Sequence, residues 1–253
     1  MVNRIVYISL LCFLRFKATA EVPDSVIIKY HQIIRFIEED NAMELSKLIA
    51  YPLKRPNPIP DIENSQQFIS YYPKLFDTAF KNKLKYYNDS VVFEHNVAYG
   101  LVGGPFRGEI WLYEDGTIES IWTHTKSEDA LIARLTDSIK KQIYPAINSW
   151  EKNEVVAKSE KLLLRVDWTG KTHRYVCWSR GQKISEKPDI VLDNGEQEFY
   201  GTMGGVGWTF KNGYWTYVVE DIDMCETEEQ CGWFLRLDYK GVRKSSIRLL
   251  EIK

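Results

Sequence analysis

A chain of 253 residues, 44% hydrophobic and 27% charged, has room for one large domain or two small ones. Its formal charge of −2 excludes a general basic field that would draw the whole protein to nucleic acid or anionic lipid.

Residues 1–20 read as a secretory signal peptide and not as part of the fold. Arg4 precedes the apolar run IVYISLLCFL, and Ala18-Thr19-Ala20 makes a small-x-small cleavage site before Glu21. The run is too short for a membrane span. Arg15 and Lys17 between run and site are unusual, and the competing reading is an uncleaved amphipathic start on a cytoplasmic protein. Removing the segment takes Arg4, Arg15 and Lys17 with it, so the formal charge falls by three, from −2 to −5. No later apolar run approaches the length of a span, so no membrane span is expected in the mature chain. A periplasmic or secreted location follows.

Residues 24–40, DSVIIKYHQIIRFIEED, predict an amphipathic helix capped by Asp24 or Ser25. Val26, Tyr30, Ile33, Ile34 and Ile37 form its apolar stripe, and His31 lies off it. A short helix over 42–49 follows. Four prolines in YPLKRPNPIPD then force an extended loop. Asn64, with Gln67 three residues on, has the form of a capping box for a third helix. Its apolar face is Phe68, Tyr72, Leu75, Phe76, Ala79 and Phe80, and Pro73 is expected to kink or restart it.

After Tyr87 the period becomes alternating. SVVF, VAYGLV, FRGEIWLY and TIESIWT predict strands, with Asp115-Gly116 turning the last pair. FIEEDNAMELSKLIAYPL, NSQQFISYYPKLF and GPFRGEIWLYEDGTIESI together resemble the nuclear-transport-factor-two-like (cystatin-like cone) family over residues 24–125. The resemblance implies helices packed on a curved antiparallel sheet, with a pocket at its open end. His95, beside Glu94, would be a general base there, and Glu109 and Trp111 would line it. The plain alternative places His95 at a surface turn.

Residues 127–144 predict a helix capped by Ser127, with Leu131, Leu135, Ile139 and Ile143 in register. Rising charge over 145–155 marks a boundary, giving an α+β domain over 21–145 and an all-β domain over 155–253. In the second domain, short strands alternate with turn signals, which predicts a small barrel or sandwich. Asn194-Gly195 and Asn212-Gly213 are expected as tight hairpins, and Lys240-Gly241 as a weaker one. RYVCWSRG, KPDIVLDNGE and FKNGYWTYVV resemble a module of uncharacterised secreted bacterial proteins, a likeness that carries no activity.

CETEEQC places Cys225 and Cys231 so that they would pair in an oxidising compartment. Zinc is the rival, but it needs about four ligands, and His31, His95, His124 and His173 do not cluster in sequence. Cys177, inside RYVCW, reads as a buried free thiol. No metal or cofactor is expected.

GTMGGVGWTFKNGYWTYVVED matches neither G-x-G-x-x-G nor a P-loop, and a hairpin follows it where a helix would be needed. Its glycines are expected to bend a sheet. Trp208 and Phe210 share one face, and Trp215 and Tyr217 share another alternation set with Tyr214 opposite. Trp208, Tyr214 and Trp215 either fill the barrel or form a binding surface for a protein or an envelope glycan. No nucleophile motif appears. The expected function is an exported, non-catalytic binding protein, an inhibitor or immunity-type role included. The alternatives are a hydrolase or isomerase using the cone pocket, and a glycan-binding module.

Overall fold

The computed structural model describes residues 22–95, 97–201 and 204–253; the expected signal peptide lies outside them. The fold is α+β, with helices on a four-stranded sheet followed by a nine-stranded, nearly closed barrel-like sheet.

α1 (Asp24–Glu38) buries the predicted stripe and adds Phe36 to it. Pro23 stands at its N-cap position and no side chain caps it, so Asp24 and Ser25 lie inside the first turn. α2 (Ala42–Ser46) is shorter than expected, because Ile49 leaves the helix for a bridge with Ile118. Asn64 caps α3 (Ser65–Leu75) by accepting from Gln67 N at 3.1 Å. The Gln67 side chain reaches back to Glu63 N at 2.8 Å, one residue beyond the capping-box partner. Pro73 sits within α3. The restart comes later, where Asp77 caps α4 (Thr78–Leu84) and accepts from Phe80 N at 2.8 Å.

β1 (Val92–His95), β2 (Ala98–Gly103), β3 (Phe106–Tyr113) and β4 (Ile118–Ile121) form an antiparallel meander in sequence order. Leu101, Phe106, Ile110 and Leu112 join the helices in one core, and the Tyr30 hydroxyl sits 2.6 Å from Tyr99 O and 3.1 Å from Ile110 O. α5 (Lys126–Gln142) starts one residue earlier than expected because Thr125 is the cap, accepting from Glu128 N at 3.2 Å. The cap therefore is not Ser127. Leu131, Leu135 and Ile139 are only half-buried, so the apolar stripe of α5 is partly uncovered.

The second sheet runs β5 (Lys152–Lys158), β6 (Leu162–Trp168), β7 (His173–Ser179), β8 (Ile190–Phe199), β9 (Val206–Asn212), β10 (Trp215–Ile222), β11 (Gly232–Tyr239), β12 (Val242–Arg248) and β13 (Leu250–Glu251). Each strand pairs antiparallel with the next as far as β12, and β13 then pairs with β5. β12 and β13 are two halves of one run that leaves β11 near Leu249 and crosses to β5, which brings the sheet round on itself.

Leu164, Val166, Tyr175, Cys177, Trp208, Phe210, Val219 and Leu235 fill the interior. Cys177 is a buried free thiol, and Cys225 and Cys231 are disulfide-paired with Cα atoms 5.5 Å apart. Asn194-Gly195 is not a hairpin. Both residues lie inside β8, with Asn194 at φ 63°, and a Cβ on Gly195 would stand 2.2 Å from the Phe210 ring. That glycine makes room for a ring to lie against the strand. The turn into β10 is centred on Gly213-Tyr214, one residue later than expected. Lys240-Gly241 carries the hairpin conformation with both central residues at positive φ, 48° and 77°. The glycines of 201–205 lie in the β8–β9 connection and lead into β9 without a helix; Thr202 and Met203 fall outside the described residues.

The outer face of β6 and β7 is also buried. Residues 143–150, which include a 3-10 turn at Pro145–Ile147, cover it with Ile143 and Ile147 against Val176 and Trp178, and Trp150 of the same segment is buried. Arg165 meets Asp167 in a buried pair, with Nε at 2.8 Å and Nη2 at 2.5 Å from its oxygens, while its guanidinium lies 4.8 Å from the Trp150 ring. Arg174 donates to Ile147 O at 2.7 Å and Ser149 O at 3.1 Å. Residues 143–150 are thus bound to the barrel wall.

Candidate functional site

The loop over 54–63 and the helices meet the barrel at one of its ends and leave a cleft of about 1110 Å³ there. The loop over 54–63 and the helices α3 and α5 form one wall. The end of β10, the start of β11 and residues 248–253 form the other. Ile59, Leu131, Leu135, Trp233 and Leu249 supply apolar surface, and Lys54, Lys74, Arg248, Asp61, Glu63, Asp221 and Glu251 supply both signs of charge. An apolar pocket with a few polar groups at a domain interface is the ordinary setting for a ligand.

Long-range contacts hold the walls. Lys253 Nζ reaches across to Asp61 Oδ1 at 2.5 Å and to Arg55 O, and Asn57 Nδ2 donates to Glu154 O at 2.9 Å. Burial works to raise the Asp61 carboxyl, but Lys253, the Arg55 amide and Lys54 outweigh it and hold the group below the usual carboxylate range. Behind the loop, the buried Arg55 Nε donates to Glu128 Oε1 at 2.9 Å, and Tyr71 OH donates to the same oxygen at 2.8 Å. The Arg55 guanidinium also lies 5.5 Å from the Trp122 ring and 5.9 Å from the Tyr71 ring. This cluster fixes the loop to α3, α5 and the end of β4.

Asp221 and Trp233 face each other across the β10–β11 pair at the barrel side of the cleft. Burial pushes the Asp221 carboxyl up to about 6, and repulsion from Asp223 and Glu251 adds to the rise against the attraction of Lys54. Trp233 stacks on Trp208, with rings 8° from parallel and centroids 6.1 Å apart. Trp208 in turn neighbours His173, whose imidazole is held below its ordinary value by burial, with Glu154 acting in the opposite sense.

Of the residues expected around a cone pocket, His95 and Trp111 are brought together and Glu109 is not. His95 and Trp111 share a hollow of about 270 Å³, with ring centroids 6.3 Å apart. Trp111 lies flat over Gly100, where a Cβ would stand 2.5 Å from its ring, on the face of the sheet turned away from α1. Glu109 is absent from that hollow; it is buried, pairs with Lys83 and accepts from Arg107 N at 2.8 Å. The face of the sheet toward α1 carries the packed apolar core instead. Trp208 belongs to the barrel interior at 3% exposure, so the surface reading fails for it. Tyr214 and Trp215, 69% and 37% exposed, sit at the barrel end opposite the cleft.

Asp221 and Trp233 were not singled out from the sequence, and Leu135 was named only as part of the apolar stripe of α5. The signals available were the acidic close of YVVED and the uncompensated stripe of α5. Among the described residues, no three His, Cys, Asp or Glu side chains are arranged to hold a metal ion, and no helix is long and apolar enough to cross a membrane. Compared with known proteins, the chain matches no family model, no curated protein and no solved structure.

Proposed function

We propose that this chain is an exported binding protein that holds a protein or envelope ligand in the interdomain cleft without transforming it. The observation that carries the reading is the cleft itself: half-covered Leu131 and Leu135 face Trp233 and Leu249 across it, ringed by charges of both signs. Apolar anchors inside a polar rim suit a polypeptide segment, whose side chains and backbone need both kinds of contact. The disulfide supports the exported location, since such bonds persist in oxidising compartments. The helices packed on one face of a four-stranded meander support the cone-like resemblance of the first domain.

The test is retention of envelope components by immobilised residues 21–253, compared with Leu131→Asp/Leu135→Asp. Both leucines are partly exposed, so the variant is expected to keep its melting temperature. A ligand retained by the parent and released by the variant is the expected result. Retention indifferent to the two leucines would remove the cleft from the reading.

A second reading, a hydrolase or isomerase, rests on Asp221, because an acid titrating at about 6 inside a cleft suits proton transfer near neutrality. Turnover abolished by Asp221→Asn, with ligand retention intact, would select it.

A further inference from the structure

The free end of the barrel has a chemistry of its own. Because the strands alternate in direction, the β5–β6, β7–β8, β9–β10 and β11–β12 connections all gather at the end opposite the cleft, where Ile184 O of the β7–β8 connection accepts from Tyr144 N at 2.8 Å. Exposed Lys161, Arg180, Lys183, Lys187, Lys211 and Lys240 stand on or beside those turns. The acids there are mostly engaged locally. Asp189 accepts from Ser179 N at 2.9 Å and Glu186 from Lys183 N at 3.2 Å, while Asp238 pairs with Arg243, so Glu160, Glu186 and Asp189 offset three of these six cations. A chain with formal charge −2 therefore concentrates cations at one pole and leaves the rest negative.

At the tips of two of these hairpins the aromatics form a supported group. Trp215 packs on Tyr239 with centroids 5.1 Å apart, and Tyr214 meets Tyr239 edge-on at 6.1 Å. Lys240 Nζ lies 4.8 Å from the Tyr214 ring centroid. Val242 next to them is exposed. Tyr and Trp are favoured where an apolar body and a polar tip are both needed, as at the headgroup layer of a bilayer. Each nearby Lys or Arg adds about 1 kcal/mol of attraction to an anionic leaflet. Hairpin tips project from the barrel and meet a flat surface more readily than a polymer strand, which needs a groove to lie in.

We propose that this end of the barrel docks on an anionic lipid bilayer, with Tyr214 and Trp215 entering the headgroup layer and the surrounding lysines held on the lipid charges. The cleft would then face away from the membrane, and the two surfaces act independently.

The experiment is co-sedimentation of residues 21–253 with vesicles of phosphatidylglycerol in phosphatidylcholine, and with phosphatidylcholine alone, at low and high salt. Binding is expected only to the anionic vesicles and should weaken with salt. Lys211→Glu/Lys240→Glu should reduce it by roughly a hundredfold, and Tyr214→Ser/Trp215→Ser by about tenfold or more. The charge-matched reversal Lys85→Glu/Lys126→Glu, at the end of α4 and the start of α5, should leave it unchanged, which separates the patch from net charge. All of these positions are exposed, so unchanged thermal unfolding is the check that the variants fold. No vesicle binding, equal binding to neutral vesicles, equal loss with the Lys85→Glu/Lys126→Glu reversal, or preference for soluble dextran sulfate over vesicles would each overturn the proposal.

Discussion

The two ends of the barrel are built from the same alternation of strand and turn, yet they differ in what covers them. At the domain end, charges are paired across long sequence distances, as with Arg55 and Glu128 or Lys253 and Asp61. At the free end, the cations stand on turns and the ion pair Arg243–Asp238 is local. Burial makes the first set matter to stability and exposure makes the second set nearly neutral to it. Substitutions at the two ends should therefore fall into separate classes of effect.

The largest effect is expected at Glu128. Glu128→Leu leaves Arg55 buried without its partner and should cost about 3–5 kcal/mol. Arg55→Leu added to it should recover a substantial part. Urea midpoints for the single and double variants decide the matter, and independent additive losses would show that the pair is not coupled.

Next comes Asp221→Asn, which should stabilise the protein near neutral pH. The folded-state carboxyl titrates at about 6 against an ordinary 3.8. The folded state thus binds its proton more tightly, and stability falls as pH rises between those values. Above about 6 the loss is complete, and after allowance for solvent screening the substitution should return about 1–2 kcal/mol. Below the unfolded value, parent and variant should converge. A variant less stable than the parent at neutral pH would contradict the placement of Asp221.

Lys253→Ala should cost about 1 kcal/mol, less at high salt, because its contacts with Asp61 and Arg55 O are polar and only partly screened. Hydrogen exchange should rise in the loop over 54–63 and not at the barrel's far turns. Smallest of all, Tyr214→Ser should shift stability by no more than about 0.5 kcal/mol. A much larger loss there would mean that the free end carries structural load, and the contrast between the ends would blur.

What the sequence discloses is local. The stripe of α1, the Asn64 cap and the Cys225–Cys231 pair all depend on residues a few positions apart, and all three stand in the structure. The register of the barrel was harder, because Asn194-Gly195 has the form of a tight turn while its glycine serves a ring on the neighbouring strand. Arg165 and Asp167, two apart in LLLRVDW, announce an outward pair, but nothing local says that residues 143–150 will bury it. The cleft was not legible at all. It forms where the loop over 54–63 meets the C-terminal residues, as Asp61 meets Lys253 192 positions away, and no periodicity encodes that meeting.

The stretch that rising charge marked as a boundary, residues 145–155, is glued down by Arg174, Trp150 and a covered β7. It is a splint and not a hinge. With that stretch held to the barrel wall, occupancy of the cleft should not wait for a swing about it. A protease seeking the junction would find its susceptible backbone elsewhere, on the exposed excursion over 223–230.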